Sequence, residues 1–136
     1  MRSSAELICV PPERVSEFWP HVAPLIRSAI ERTELSDPSD IERDILGGAS
    51  LLWLAWADGI EAAAASQVVN VGDKKVCIIT ACGGSNRDRW LPLIEGIENY
   101  ARQIGCSCVR IYGRKGWLRV LNGYQARHVV MDKELN

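Results

Sequence analysis

Two histidines, no Cys-x-x-Cys pair and no apolar stretch of membrane-spanning length set the first bounds on this 136-residue chain. His21 and His128 stand far apart with no third ligand placed beside either by motif, so neither a metal site nor a histidine dyad is expected. The five cysteines, Cys9, Cys77, Cys82, Cys106 and Cys108, form an odd set without zinc or thioredoxin spacing. They read as reduced, mostly buried thiols. Nowhere do roughly eighteen apolar residues run together, and the opening MRSSAELICVPPERV has no signal-peptide core. The expectation is a soluble cytoplasmic protein with no membrane partner. Sixteen Lys and Arg against seventeen Asp and Glu leave a formal net charge of −1. No global field would draw the chain to nucleic acid, and any anion site must be local. No repeat, linker or low-complexity stretch divides it, so residues 1–136 read as one domain long enough to bury a core.

What is present is an ordered series of strand and helix signals. Glu6 to Val10 is a short apolar strand stopped by Pro11 and Pro12. Apolar positions at Val15, Phe18, Trp19, Val22, Ile26, Ala29 and Ile30 give a helical stripe to about Thr33, with Pro20 and Pro24 predicting a kink or a break into two pieces. Asp37-Pro38-Ser39-Asp40 has the chemistry of a helix start, and Gly47-Gly48 that of its end. Ser50 to Ala57 and Ile60 to Val71 flank Asp58-Gly59, a hairpin signal. After Gly72-Asp73, Lys75 to Cys82 (KVCIITAC) is a nearly continuous apolar strand.

The segment ACGGSNRDRW, residues 81–90, ends that strand in paired glycines and opens a helix whose stripe, Trp90, Leu93, Ile94, Ile97, Ala101 and Ile104, runs to Gly105. Cys108 to Tyr112 is a fifth strand, Gly116 to Leu121 one or two helical turns, and Ala126 to Met131 a sixth strand. The strand, helix, strand order around residues 75–112 implies a crossover between parallel partners, while the hairpins imply antiparallel pairing. The expected fold is α/β, of α+β type: a mixed, mostly antiparallel six-stranded sheet with helices on both faces.

In this order of elements the chain resembles the GNAT superfamily of N-acetyltransferases over essentially its whole length, most closely from Lys75 to Leu135. The family's apolar fourth strand, phosphate-binding loop, amphipathic helix, fifth strand, short helix and glycine-aromatic pair look to be filled by KVCIITAC, GGSNRDR, WLPLIEGIENYARQIG, CVRIY, WLRVL and Gly123-Tyr124. GRKGWLRVLNGY, residues 113–124, is also similar to GNAT-like proteins of phage and prophage genomes. Three family positions differ, the first being Gly113-Arg114-Lys115-Gly116 after the fifth strand, where an asparagine is common. The loop pattern of Arg or Gln, two residues, Gly, one residue, then Gly or Ala has no glycine between Ser85 and Trp90, and Arg119 stands where a proton-donating tyrosine is common.

The resemblance implies acetyl-CoA as cosubstrate, held across the splayed ends of the fourth and fifth strands, with no metal. A neutral amine would attack the thioester directly, aided by a fourth-strand amide at Ala81 or Cys82. A glycine-rich turn feeding a helix start directs free amides at one spot, where pyrophosphate binds. Gly83, Gly84 and Ser85 would supply backbone, and Arg87 and Arg89 charged donors. The plainer reading is that Gly-Gly turns the chain, Ser85 or Asn86 caps the helix, and the arginines are solvated. Cys82 as an acyl-accepting nucleophile has no activating neighbour by motif and reads as a buried thiol. Tyr112 and Tyr124 carry phenols near the cleft but read first as packing aromatics, as do Trp53, Trp56, Trp90 and Trp117. The catalytic acid and base stay unassigned.

The leading expectation is therefore an N-acetyltransferase acting on an unidentified small-molecule or protein amine. The alternatives are a noncatalytic GNAT-like interaction or structural protein of phage origin, or an acyl-CoA-binding module without turnover. A homodimer formed edge to edge through the Trp-rich hairpin is left open.

Overall fold

The computed structural model describes residues 6–33, 35–84, 87–113 and 115–135; for residues 33, 87–90 and 115–116 the description covers the backbone alone. The elements are β1 (Glu6–Cys9), a 3-10 turn (Pro12–Arg14), α1 (Val15–Thr33), α2 (Pro38–Leu46), β2 (Leu51–Trp56), β3 (Ile60–Val71), β4 (Lys74–Gly84), α3 (Arg87–Gln103), β5 (Cys108–Ile111) and a second 3-10 turn (Lys115–Arg119). The strands form one mixed sheet in the order β1-β2-β3-β4-β5, antiparallel at the first three pairings and parallel between β4 and β5.

Two cores lie on opposite faces of this sheet. On one, Trp19, Val22, Ile26 and Ile30 of α1 and Ile41 and Ile45 of α2 meet Leu52, Leu54, Ala63 and Ala65. On the other, Leu93, Ile94, Ile97 and Ala101 of α3 meet Trp53, Ala62, Ala64, Cys77 and Ile79. Ala62 to Ala65 are all fully buried. Successive strand side chains point to opposite faces, so this run of four alanines lets helices approach the sheet closely from both sides.

α1 is one helix, although Pro20 and Pro24 predict an interruption. Both prolines are exposed, spaced four apart on the face away from the core. The carbonyls they leave without an amide donor, those of Ser16 and Pro20, therefore face water, while the buried stripe from Val15 to Ile30 holds the two halves in line. α2 starts as its sequence predicts: Asp37 accepts from the Ser39 amide at 2.8 Å, and Gly47 forms the end. The β2–β3 hairpin turns at Asp58-Gly59, with Ala57 N–H donating to the Gly59 carbonyl at 3.0 Å.

Two boundaries change the expected picture. The fourth strand continues past Cys82 to Gly84, so the paired glycines lie inside β4 and not in a turn. The expected sixth strand, Ala126 to Met131, is absent: among the described residues the sheet has five strands, and residues 125–135 run exposed without regular structure. Strand-forming side chains make a strand only against a neighbour, and no described strand pairs with this segment.

Candidate functional site

The site begins with an irregularity in β4. Ser66 pairs with Ile79 and Ala65 with Ala81, which leaves Thr80 as an extra residue in the ladder. The two cores confirm the break in alternation. Cys77 and Ile79 belong to the α3 face, as regular spacing requires, but Ala81 belongs to the α1 face and Cys82 again to the α3 face. This is a β-bulge, which bends its strand and increases its twist.

The bulge falls where β5 gives out. Parallel pairing runs from Val76 with Cys108 to Ile79 with Ile111, and Tyr112 N–H donates to the Ile79 carbonyl at 3.2 Å. Beyond that bond β4 continues for five residues, Thr80 to Gly84, with no residue of β5 beside it. Backbone groups of β4 that point toward β5 past the bulge thus face a gap between strand ends. A shallow cleft open to solvent lies there. Its walls are Ala81 and Cys82 of β4, Tyr112 and Gly113 just past β5, and Trp117. Ala29 and Arg32, near the end of α1, close the third side.

Among the described residues, Arg32 is the one basic side chain of this lining. It is exposed and has no ion-pair partner among the described residues. Burial pushes the Cys82 thiol up to about 12, so it is protonated across the neutral range and is a poor nucleophile. Tyr124 does not face the cleft lining. Its phenol donates to Glu98 Oε2 of α3 at 2.6 Å, and burial followed by that hydrogen bond holds its proton well above the ordinary phenol range.

Of the residues marked by sequence, Ala81 and Cys82 line the cleft, and both are buried. Gly83 and Gly84 are engaged in packing. A Cβ on Gly83 would sit 2.7 Å from the Leu25 carbonyl oxygen of α1, and one on Gly84 would sit 2.8 Å from both Ala62 Cβ and the Glu61 carbonyl oxygen of β3. Ser85 lies outside the described residues, as do the side chains of Arg87 and Arg89, whose backbone forms the start of α3. Trp53 is a core residue, donating to Ser66 Oγ at 2.9 Å and meeting Tyr100 edge to face. Ala29 and Arg32 are what sequence reasoning missed. Both ride on a helix whose stripe reads as core, and the signal available was a cation two residues past the last buried position, Ile30.

No family model matches the chain, and no curated protein matches it by sequence. Solved structures do. A probable acetyltransferase aligns over 96% of this chain and 97% of its own at 16% identity and a TM-score of 0.67. An aminoglycoside acetyltransferase from an uncultured soil metagenomic sample, in complex with sisomicin, covers 97% and 96% at 13% identity and 0.72. A ribosomal-protein-alanine N-acetyltransferase from Brucella melitensis biovar Abortus 2308 covers 98% and 100% at 12% identity and 0.70. At such identities the likeness is one of fold: the chain shares the fold of these acetyltransferases. Among the described residues no helix is long and apolar enough to cross a membrane, and no group of three His, Cys, Asp or Glu side chains is placed to hold a metal ion.

Proposed function

We propose that the chain is an acetyl-CoA-dependent N-acetyltransferase that passes an acetyl group directly to an amine in the cleft between the ends of β4 and β5. The observation that carries this reading is the cleft itself: a strand bulged at Thr80, running five residues past its neighbour, with small side chains at Ala81 and Cys82 lining the gap. An extended chain of amides would find hydrogen-bond partners there, because β4 backbone groups on that side have no strand of the described sheet to bond.

When bound, acetyl-CoA would supply the acetyl group as a thioester. Ala81 and Cys82 form the β4 wall along which the thioester would lie, with the amides past the bulge as donors to its oxygen. A neutral thiol at Cys82 supports transfer without a covalent enzyme intermediate. The amine would attack with the C–N bond forming and the C–S bond breaking; its proton would pass to water, and the phenol of Tyr112 in the lining would protonate the departing sulfur and regain its proton from solvent. Arg32 can pair with a carboxylate. Its position, with no acidic side chain among the described residues of the lining, favours acceptors that carry an anionic group next to the amine over polycationic ones. Ser85, Arg87 and Arg89 would take the phosphates at the start of α3.

A second reading has its own support. Gly83 and Gly84 are occupied by α1 and β3, Tyr124 is tied to Glu98, and Arg119 stands where the family commonly has its acid. These favour a noncatalytic GNAT-like protein, or one that binds acyl-CoA without turnover. Calorimetry with acetyl-CoA, on the natural chain and on Arg87→Ala/Arg89→Ala, followed by an amine panel assayed for free thiol release, separates the three. Binding with turnover supports the enzyme. Binding alone leaves a sensor, and no heat at the highest soluble ligand concentration leaves the noncatalytic protein.

A further inference from the structure

The cleft has walls on both faces of the sheet. Ala81 belongs to the α1-face core and Cys82 to the α3-face core, while Trp117 packs against the α3-face core and Ala29 and Arg32 stand on α1. With its phosphates at the start of α3, a bound coenzyme would approach from the α3 face, and an acyl group at its far end would point toward α1. Ala29 is what stands there. It belongs to a second stripe on that helix, Leu25, Ala29 and Arg32, set apart from the buried stripe of Val22, Ile26 and Ile30. This second stripe presses on the end of β4: a Cβ on Gly83 would sit 2.7 Å from the Leu25 carbonyl oxygen and 3.5 Å from Ala29 Cβ. In a regular helix the Leu25 carbonyl accepts from the amide of residue 29, so the turn that meets the strand is the turn that bears Ala29. Ile26 and Ile30, each 1% exposed, hold the same turn from the core side.

We infer that Ala29 sets the length of the acyl group the cleft accepts, an inference that rests on the coenzyme binding proposed above. Its methyl side chain leaves space beside Ala81 for the shortest acyl groups, and a longer chain runs into Ala29 and the α1 backbone behind it. This wall does not yield. Backbone meets backbone at Gly83, and the opposite side of the helix is locked into a filled core, so α1 can neither back away from β4 nor roll aside. Selectivity for acetyl over longer acyl groups is then a property of one side chain on a fixed helix.

Calorimetry with free coenzyme A, acetyl-CoA and butyryl-CoA tests this without an acceptor. The natural chain is expected to bind butyryl-CoA about tenfold or more weakly than acetyl-CoA, the low end of what a single methylene decides in an apolar pocket. Ala29→Gly narrows that gap, and Ala29→Leu weakens acetyl-CoA by about tenfold or more. Both leave the affinity for free coenzyme A unchanged, because it carries no acyl group. If the larger side chain unfolds the helix, Ala29→Val makes the same comparison with a smaller intrusion. Equal affinities for the two acyl forms in the natural chain overturn the inference, as does a gap that no substitution at Ala29 moves; in either case the coenzyme site itself stands. Failure of the natural chain to bind coenzyme A in any form overturns the coenzyme reading, and the inference falls with it.

Discussion

The carbonyl oxygen of Leu25, in α1, lies 2.7 Å from where a Cβ on Gly83 would stand, so the strand that walls the cleft is in backbone contact with the helix that carries Arg32. This contact fixes the third side of the cleft. A methyl group at Gly83 cannot be accommodated by a rotamer change, because the obstructing atom is backbone. Gly83→Ala is expected to cost about 1–3 kcal/mol, the range for overpacking a well-filled interior. Gly59→Ala, in the hairpin turn with nothing within 4 Å, is the control and stays within about 0.5 kcal/mol of the parent. Urea denaturation of the three proteins checks this, and equal midpoints would refute the contact.

Cys82 and Cys77 make stability fall in alkali. Their thiols are pushed up from 9.0 to about 12 and about 11, mainly by burial. Below pH 9 both states keep the proton and the contribution is whole. Between pH 9 and the folded values the unfolded chain loses protons that the folded chain retains, so stability declines as pH rises. Cys82→Ala flattens this decline and does not abolish acetyl transfer. Iodoacetamide at mild alkaline pH modifies exposed Cys9 and Cys108 well before Cys82; rapid labelling of Cys82 in the native protein would sink the assignment.

Tyr124 is assigned a structural part. Tyr124→Phe leaves Glu98 without its phenol donor and is expected to cost about 1.5–3 kcal/mol, the range for a hydrogen bond to a charged group. Turnover at saturating substrates is unchanged. A large loss of turnover with unchanged stability would instead make this phenol the acid.

How much of this was legible in the chain varies by residue. The Asp37 cap, the Asp58-Gly59 turn and the stripes of α1 and α3 are local signals, and the structure repeats them. Two readings failed for reasons of tertiary context. Gly83-Gly84 has the composition of a turn, but a glycine pair also suits a strand pressed by a helix on one side and by its neighbouring strand on another, and nothing local distinguishes the two. Ala126 to Met131 has the composition of a strand, but a strand exists only with a partner. The bulge at Thr80 was illegible for the same reason: it is a property of the β3–β4 register, and KVCIITAC alternates too little to reveal where the parity changes.

Tyr112 and Arg32 test the cleft chemistry from its two sides. If the phenol of Tyr112 protonates the departing sulfur, Tyr112→Phe lowers kcat by about 10²-fold or more and leaves acetyl-CoA affinity unchanged, since no binding contact is asked of the hydroxyl. If Arg32 pairs with an anionic group of the acceptor, Arg32→Ala raises the acceptor KM with little change in kcat for acceptors bearing that group, and leaves uncharged amines unaffected. Arg32→Lys restores part of the loss by charge but not the two-pronged geometry of a guanidinium. Steady-state kinetics with paired acceptors, identical but for the carboxylate, separates the two residues. Equal losses for both members of a pair would mean that Arg32 acts on the fold of the cleft and not on the acceptor.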